Sequence, residues 1–255
     1  MGEEENSDLK RNVGVSRISS MEIPSKMDRE YIYYRYYLSD LKVIFERYIH
    51  EQYFIFDIGC GNKPFEDYIR KLTNNNSLSS YVGCDVVQSS NNKVDIICEA
   101  ADIPIVSSKY DVVICTQVIE HVFNHSKVFE EAYRILKPGG IFIVSSNFIW
   151  EMHEVPYDYF RFTKYGFRSL LVNSGFEIVE ERANGGKWAV LGQLLLQISW
   201  IMHDPTSALL KRKLKTLLRR AMLIFCNWFF PFLDDRHKDS SRYTLNYIFV
   251  GRKNE

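Results

Sequence analysis

Between Tyr53 and Arg182 the chain alternates short apolar runs with longer amphipathic stretches, and that alternation leaves few folds open. The runs at 53–58, 81–84, 94–97, 110–116, 141–146, 176–182 and 247–252 predict strands. The stretches at 64–72, 126–136 and 164–173 predict helices between them. Such βαβα order argues an α/β domain built on a parallel sheet with helices on both faces. Runs such as Phe54-Ile55-Phe56, Val112-Val113-Ile114 and Ile141-Phe142-Ile143-Val144 are nearly continuous, as strands buried on both faces should be. No internal repeat is visible.

Upstream, 28–50 contains no Pro or Gly and repeats Leu38, Leu41, Phe45 and Tyr48 or Ile49 at helical spacing, which predicts an amphipathic helix. It carries more tyrosines than one stripe needs (31, 33, 34, 36, 37); both packing against the core and lining a ligand mouth stay open for them. Residues 1–23 lack periodicity and are expected to form a flexible tail, leaving 24–255 as one domain that includes a helical insertion at 183–246. The opening Glu3-Glu4-Glu5 and the absence of an apolar stretch in 1–20 fit neither a secretory signal nor a transit peptide, so a cytoplasmic location is expected.

Composition removes several function classes. The 32 basic residues balance the 32 acidic ones, so no global charge draws the chain to nucleic acid. Five cysteines, an odd number without a Cys-x-x-Cys pair, fit reduced thiols acting as small hydrophobes.

Ligands in open α/β sheets bind beyond the carboxyl ends of strands, so the residues that follow each run carry the chemistry. The first run ends in Asp57-Ile58-Gly59-Cys60-Gly61-Asn62-Lys63-Pro64, where two glycines let the backbone turn tightly against a ligand and Asp57 supplies an acceptor. The second ends at Gly83-Cys84-Asp85, with a carboxylate placed to accept hydrogen bonds from a ribose diol. Pro64 stands where a dinucleotide loop wants its last glycine, which disfavours NAD. No G-x-x-x-x-G-K-[ST] loop is present to cradle a triphosphate.

Five blocks in order resemble the class I S-adenosylmethionine-dependent methyltransferases, particularly their small-molecule, type 11-like branch. They are Asp57-x-Gly59-x-Gly61, Asp85, Glu99-Ala100-Ala101-Asp102-Ile103-Pro104, the stretch from Tyr110 through Glu120-His121-Val122, and Phe129 through Pro138-Gly139-Gly140. The resemblance covers roughly 50–182 and the last strand. It implies a Rossmann-like doubly wound sheet of about seven strands, the last antiparallel, and S-adenosylmethionine as cofactor. It further implies that the amides of Gly59, Cys60 and Gly61 approach the cofactor's amino-acid end, that Asp85 holds the ribose, that Glu99 with Ala100 meets the adenine edge, and that Thr116 or Gln117 lies under the sulfonium. Lys63 in place of a third glycine and Glu99 in place of Asp depart from the family pattern.

A sulfonium methyl is already electrophilic, so the protein's work is alignment and, for a hydroxyl acceptor, proton removal. His121, following the fourth strand, is the first candidate base, against a purely structural role at a helix start; His153 and Asp158 come next. The segment 150–163, rich in aromatics and charge, is expected to face the acceptor, and it resembles the His-x-x-Pro-Tyr-Asp-x-x-Arg-[FY]-Thr stretch of methyltransferases found with polysaccharide and glycoconjugate enzymes. There Arg161 either holds an anionic group or clamps Asp158. Some quinone-type O-methyltransferases bind a divalent ion at Glu-x-x-Glu-His; here Gln117 replaces the first carboxylate, which weakens a hard-cation site, so no metal is expected. O-methylation of a small-molecule or glycan- or lipid-linked acceptor is the expected reaction. A noncatalytic scaffold retaining the fold is the alternative.

In the insertion, 209–233 carries six basic residues and no acid, with Leu210, Leu214, Leu217, Leu218, Ala221, Phe225 and Trp228 on one helical stripe. Peripheral contact with an anionic membrane, a homodimer interface and plain coverage of the sheet are the three uses of such a helix. Neither apolar run in the insertion reaches the ~18 residues of a spanning helix.

Overall fold

In the computed structural model, which describes residues 20–75, 77–201, 209–237 and 242–255, the alternation becomes a seven-stranded sheet. Side chains at 200, 201 and 209–214 also lie outside the description, as do residues 1–19 of the expected tail. The strands are β1 (Ile55–Ile58), β2 (Tyr81–Asp85), β3 (Ile96–Ile97), β4 (Tyr110–Thr116), β5 (Leu136–Asn147), β6 (Phe176–Asn184) and β7 (Asn246–Lys253). Their order is β3-β2-β1-β4-β5-β7-β6, and β7 pairs antiparallel with both neighbours. The expected doubly wound sheet with a reversed last strand is thus present.

Successive residues of these strands feed two cores, which is why the runs read as continuously apolar. Ile55, Val112, Ile114, Ile143 and Ile248 face one side, with α1 (Tyr31–Tyr48), α2 (Glu66–Thr73), α5 (Lys187–Ile201) and α6 (Leu209–Arg236). Phe56, Val113, Phe142, Val144 and Phe249 face the other, with α3 (His125–Ile135) and α4 (Lys164–Asn173). Each large buried side chain contributes about 1.5–3 kcal/mol of transfer free energy, so neither face is dispensable.

One local expectation is corrected: Lys137 to Gly140 is part of β5, which starts at Leu136 and breaks register with β4 between Tyr110 and Val112, rather than preceding a strand that starts at 141. Of the α6 stripe, Leu217, Leu218, Phe225 and Trp228 are exposed, while Leu223, Cys226 and Phe230 of the same helix pack inward; Leu210 and Leu214 lie outside the described side chains. Among the described residues, no helix is long and apolar enough to cross a membrane.

Candidate active site

The strand order changes direction between β1 and β4, and the carboxyl ends of β1, β2 and β4 open there onto a cleft. Its walls include Gly59, Asp85, Ala100, Gln117, His121 and Glu154. Gly59, Asp85 and His121 were expected from the strand-end reading, and Ala100 and Gln117 from the family resemblance. Glu154 was not singled out, although it lies in the segment expected to face the acceptor.

Gly59 adopts φ +71°, and a Cβ there would sit 2.2 Å from Val118 Cγ2. Only glycine keeps this wall bare. A Gly59→Ala variant is expected to lose most cofactor affinity, with a stability cost of about 1–3 kcal/mol from the φ and the overlap; thermal unfolding alongside calorimetry separates the two. Unaltered affinity would contradict a cofactor seated against this wall.

The amides behave differently from the expectation. Gly59 and Cys60 N–H groups both donate to Cys84 O, at 2.8 and 2.9 Å, and the Gly61 N–H donates to Asp85 Oδ2 at 3.0 Å. They tie β1 to β2 and bring Asp85 to the rim, where Oδ1 also accepts from Val86 N at 2.8 Å.

Asp57 is buried and does not line the cleft; its Oδ2 accepts from Tyr81 Oη at 2.5 Å. Burial pushes it up to about 7, partly offset by the Tyr81 bond and the Lys63 charge. Lys63, at φ +53°, turns beneath β2 and donates to Asp95, so its departure from the glycine pattern serves the loop rather than the cleft. Glu99 is exposed and outside the lining, whereas its neighbour Ala100 is part of it. Cys60, Gly61 and Thr116 also lie outside the lining.

Gln117 sits at φ +57°, sparsely populated for a residue with a side chain. A network holds it there: Tyr33 Oη donates to its Oε1 at 2.9 Å, and its Nε2 donates to Ser145 Oγ at 2.9 Å and Asn246 Oδ1 at 2.7 Å. Tyr37 Oη and Ser145 Oγ are 2.9 Å apart. Two of the surplus tyrosines therefore position the cleft floor from within the core. The tyrosine excess in 31–37 was their only signal.

His121, also in the lining, closes a short 3₁₀ turn at Ile119–His121, with Nδ1 2.9 Å from Tyr157 O. Burial lowers its pKa below the usual histidine value, opposed by Glu154, the Tyr157 carbonyl and Asp158. A neutral ring donating from Nδ1 to that carbonyl carries its lone pair on Nε2. Glu120 beside it is fully buried and pushed up to about 7 by burial, with only partial relief from its own and the Asn147 main chain, the Ser146 hydroxyl and the Arg161 charge.

Arg161 clamps Asp158. Its Nη1 and Nη2 donate to the two carboxylate oxygens at 2.6 and 2.7 Å, and to Phe160 O and Glu151 O at 2.9 and 3.1 Å. The other use weighed for Arg161, holding an anionic acceptor group, finds both terminal nitrogens engaged. His153 N also donates to Asp158 Oδ2 at 3.0 Å, and the His153 ring meets His121 edge to face with centroids 4.7 Å apart. His121, His153, Asp158 and Arg161 therefore form one cluster, as the sequence grouped them.

Residues 56–144 match the model of a methyltransferase domain family. A probable S-adenosylmethionine-dependent methyltransferase of Mycolicibacterium smegmatis is 29% identical over 129 residues, covering 49% of this chain and 48% of that protein. The match thus spans about half the length of that curated relative. Among solved structures, the (4+2)-cyclase SpnF superposes at TM-score 0.54 with 16% identity, over 85% of this chain and 82% of that one. The 1,6-didemethyltoxoflavin-N1-methyltransferase of Burkholderia thailandensis, solved with S-adenosylhomocysteine, superposes at 0.51 with 12% identity, over 85% and 77%. At such identities the two structures speak for the fold alone. Residues 56–144 thus carry a methyltransferase domain, and over about half its length the chain is similar to a probable S-adenosylmethionine-dependent methyltransferase. The bare Gly59 wall and the carboxylate at the β2 tip fit that cofactor.

Proposed function

We propose that the protein transfers a methyl group from S-adenosylmethionine to a hydroxyl of a small-molecule or glycan- or lipid-linked acceptor. The observation that carries this reading is one cleft lined both by Gly59 and Asp85 and by an imidazole whose ring lies against a backbone carbonyl. Bound there, S-adenosylmethionine supplies an electrophilic methyl and leaves as S-adenosylhomocysteine. Asp85 accepts from the ribose diol, with Gly61 N–H fixing its rotamer. Gln117, pinned by Tyr33, Ser145 and Asn246, shapes the floor between cofactor and acceptor. His121 takes the acceptor's proton through Nε2, and Asp158, braced by Arg161, holds the 151–161 segment against it. The scaffold alternative is not favoured, because the cleft retains Gly59, Asp85 and Ala100 together. Incubation with methyl-labelled cofactor and a panel of hydroxyl-bearing acceptors tests the reading: label in a methyl ether supports it, and label on nitrogen or carbon rejects O-methylation.

A second reading concerns where the acceptor is met. Leu217, Leu218, Ile224, Phe225, Trp228 and Phe232 form an exposed apolar face on α6, and Lys215, Arg219, Arg220 and Arg236 share that helix. Aromatic and aliphatic side chains beside cations match the boundary of an anionic bilayer. We propose that this face lies on such a membrane, bringing the cleft to lipid-linked acceptors. Flotation with anionic liposomes at low salt should carry the wild-type chain and not a Phe225→Ser/Trp228→Ser variant. Concentration-dependent dimerisation without flotation would assign the face to a second copy instead.

A further inference from the structure

We propose that Glu120, His121 and His153 form a site for a divalent transition-metal ion beside the cleft, with His121 the one of the three that lines it. Each offers one donor atom, and the three atoms lie within 4.8 Å of one another. A tetrahedral ion with bonds of about 2.0–2.2 Å sets its donors roughly 3.3–3.6 Å apart, so small side-chain rotations complete the set.

A second observation points to a ligand. Glu120 is fully buried, yet its Oε2 has no hydrogen-bond partner among the described residues, while Asn147 Nδ2 donates to Oε1 at 3.4 Å. Buried carboxylate oxygens are rarely left this way, because an unmet acceptor loses its hydration without return. An ion between Glu120 and the imidazoles supplies the missing partner.

The surroundings suit coordination. His121 Nδ1 is 2.9 Å from Tyr157 O and His153 Nδ1 is 3.2 Å from Glu151 O, the type of outer contact that orients a ligating ring and leaves its other nitrogen basic. The Arg161 guanidinium is already neutralised by both oxygens of Asp158. Two imidazole nitrogens and one carboxylate favour Zn²⁺, Co²⁺ or Ni²⁺ over Mg²⁺ or Ca²⁺, which prefer all-oxygen shells. The expectation of no metal rested on the carboxylate missing at Gln117; His153, distant in sequence, brings a nitrogen donor in its place and alters the ion that fits.

The inference rests on the same cleft as the proposed function: His121 offers its free lone pair to a proton in the metal-free protein and to the ion in the loaded one. The full-length protein, stripped by chelator and desalted, is titrated with Co²⁺ and followed by visible absorption, then challenged with Zn²⁺ and separately with Mg²⁺. Saturation at one equivalent, displacement by Zn²⁺ but not Mg²⁺, and at least about tenfold weaker Co²⁺ binding in both Glu120→Gln and His153→Ala are expected. Absence of saturable Co²⁺ uptake, uptake that survives both substitutions, or equal competition by Mg²⁺ overturns the site. S-adenosylhomocysteine binding on the same samples reports separately on folding and on the cofactor assignment.

Discussion

An Asp85→Ala variant is expected to bind S-adenosylhomocysteine about two orders of magnitude more weakly than the wild-type chain. Hydrogen bonds to a charged acceptor contribute about 1.5–3 kcal/mol each, and a ribose diol makes two of them at this carboxylate. The side chain is 6% exposed, lines the cleft and also accepts from the amides of Gly61 and Val86. Removing it therefore loosens the first loop as well as deleting the ribose contact. Asp85→Asn separates the two, since it retains one acceptor and the side chain's shape; its affinity should fall between the others. Calorimetry on all three proteins, with thermal unfolding as the control, checks the ordering. Equal affinities would remove Asp85 from the cofactor site.

The second large effect is on turnover. His121→Ala is expected to lower the methyl-transfer rate by about 10²–10⁴ while S-adenosylhomocysteine affinity is kept, the signature of a lost general base. The wild-type rate should be flat at neutral pH and fall with acid. The sign follows from burial, which lowers the histidine pKa below its ordinary 6.5, so the basic form persists to more acidic pH than a free imidazole would allow. In the variant that acid limb disappears. A variant with undiminished rate, or one that keeps the same acid limb, would show that His121 does not carry the proton. His121 as base and His121 as metal ligand also part here, because chelator treatment leaves the first unaffected.

What was legible from the amino-acid order was whatever repeats locally. Strand runs show because both faces of the sheet are covered, and α4 matches its expected span of 164–173 because Thr163 caps it by accepting from Gly166 N. The strand-end rule placed Gly59, Asp85 and His121 around one opening, since a parallel sheet gathers its carboxyl ends whatever the loops contain. Contacts between distant segments were hidden. Tyr33 reaches Gln117 across 84 positions, and Gln117 reaches Asn246 across 129, which no local period reports. The motif reading gave Asp57 and the Gly59 and Cys60 amides to the ligand. Packing assigns them to Tyr81 and Cys84, and Asp85 is left at the rim. On α6 the period was legible and the use of its stripe was not, because a helix with two apolar faces does not announce which one α1 and α5 will cover.

The central claim is that the cleft between β1, β2 and β4 holds S-adenosylmethionine. Calorimetric titration of the purified chain with S-adenosylhomocysteine, with NAD as the comparison ligand, tests it most directly. Saturable binding near one equivalent, weakened in Asp85→Ala and absent for NAD, is the predicted result. A folded protein that binds neither S-adenosylhomocysteine nor S-adenosylmethionine, or one that binds NAD instead, would contradict it.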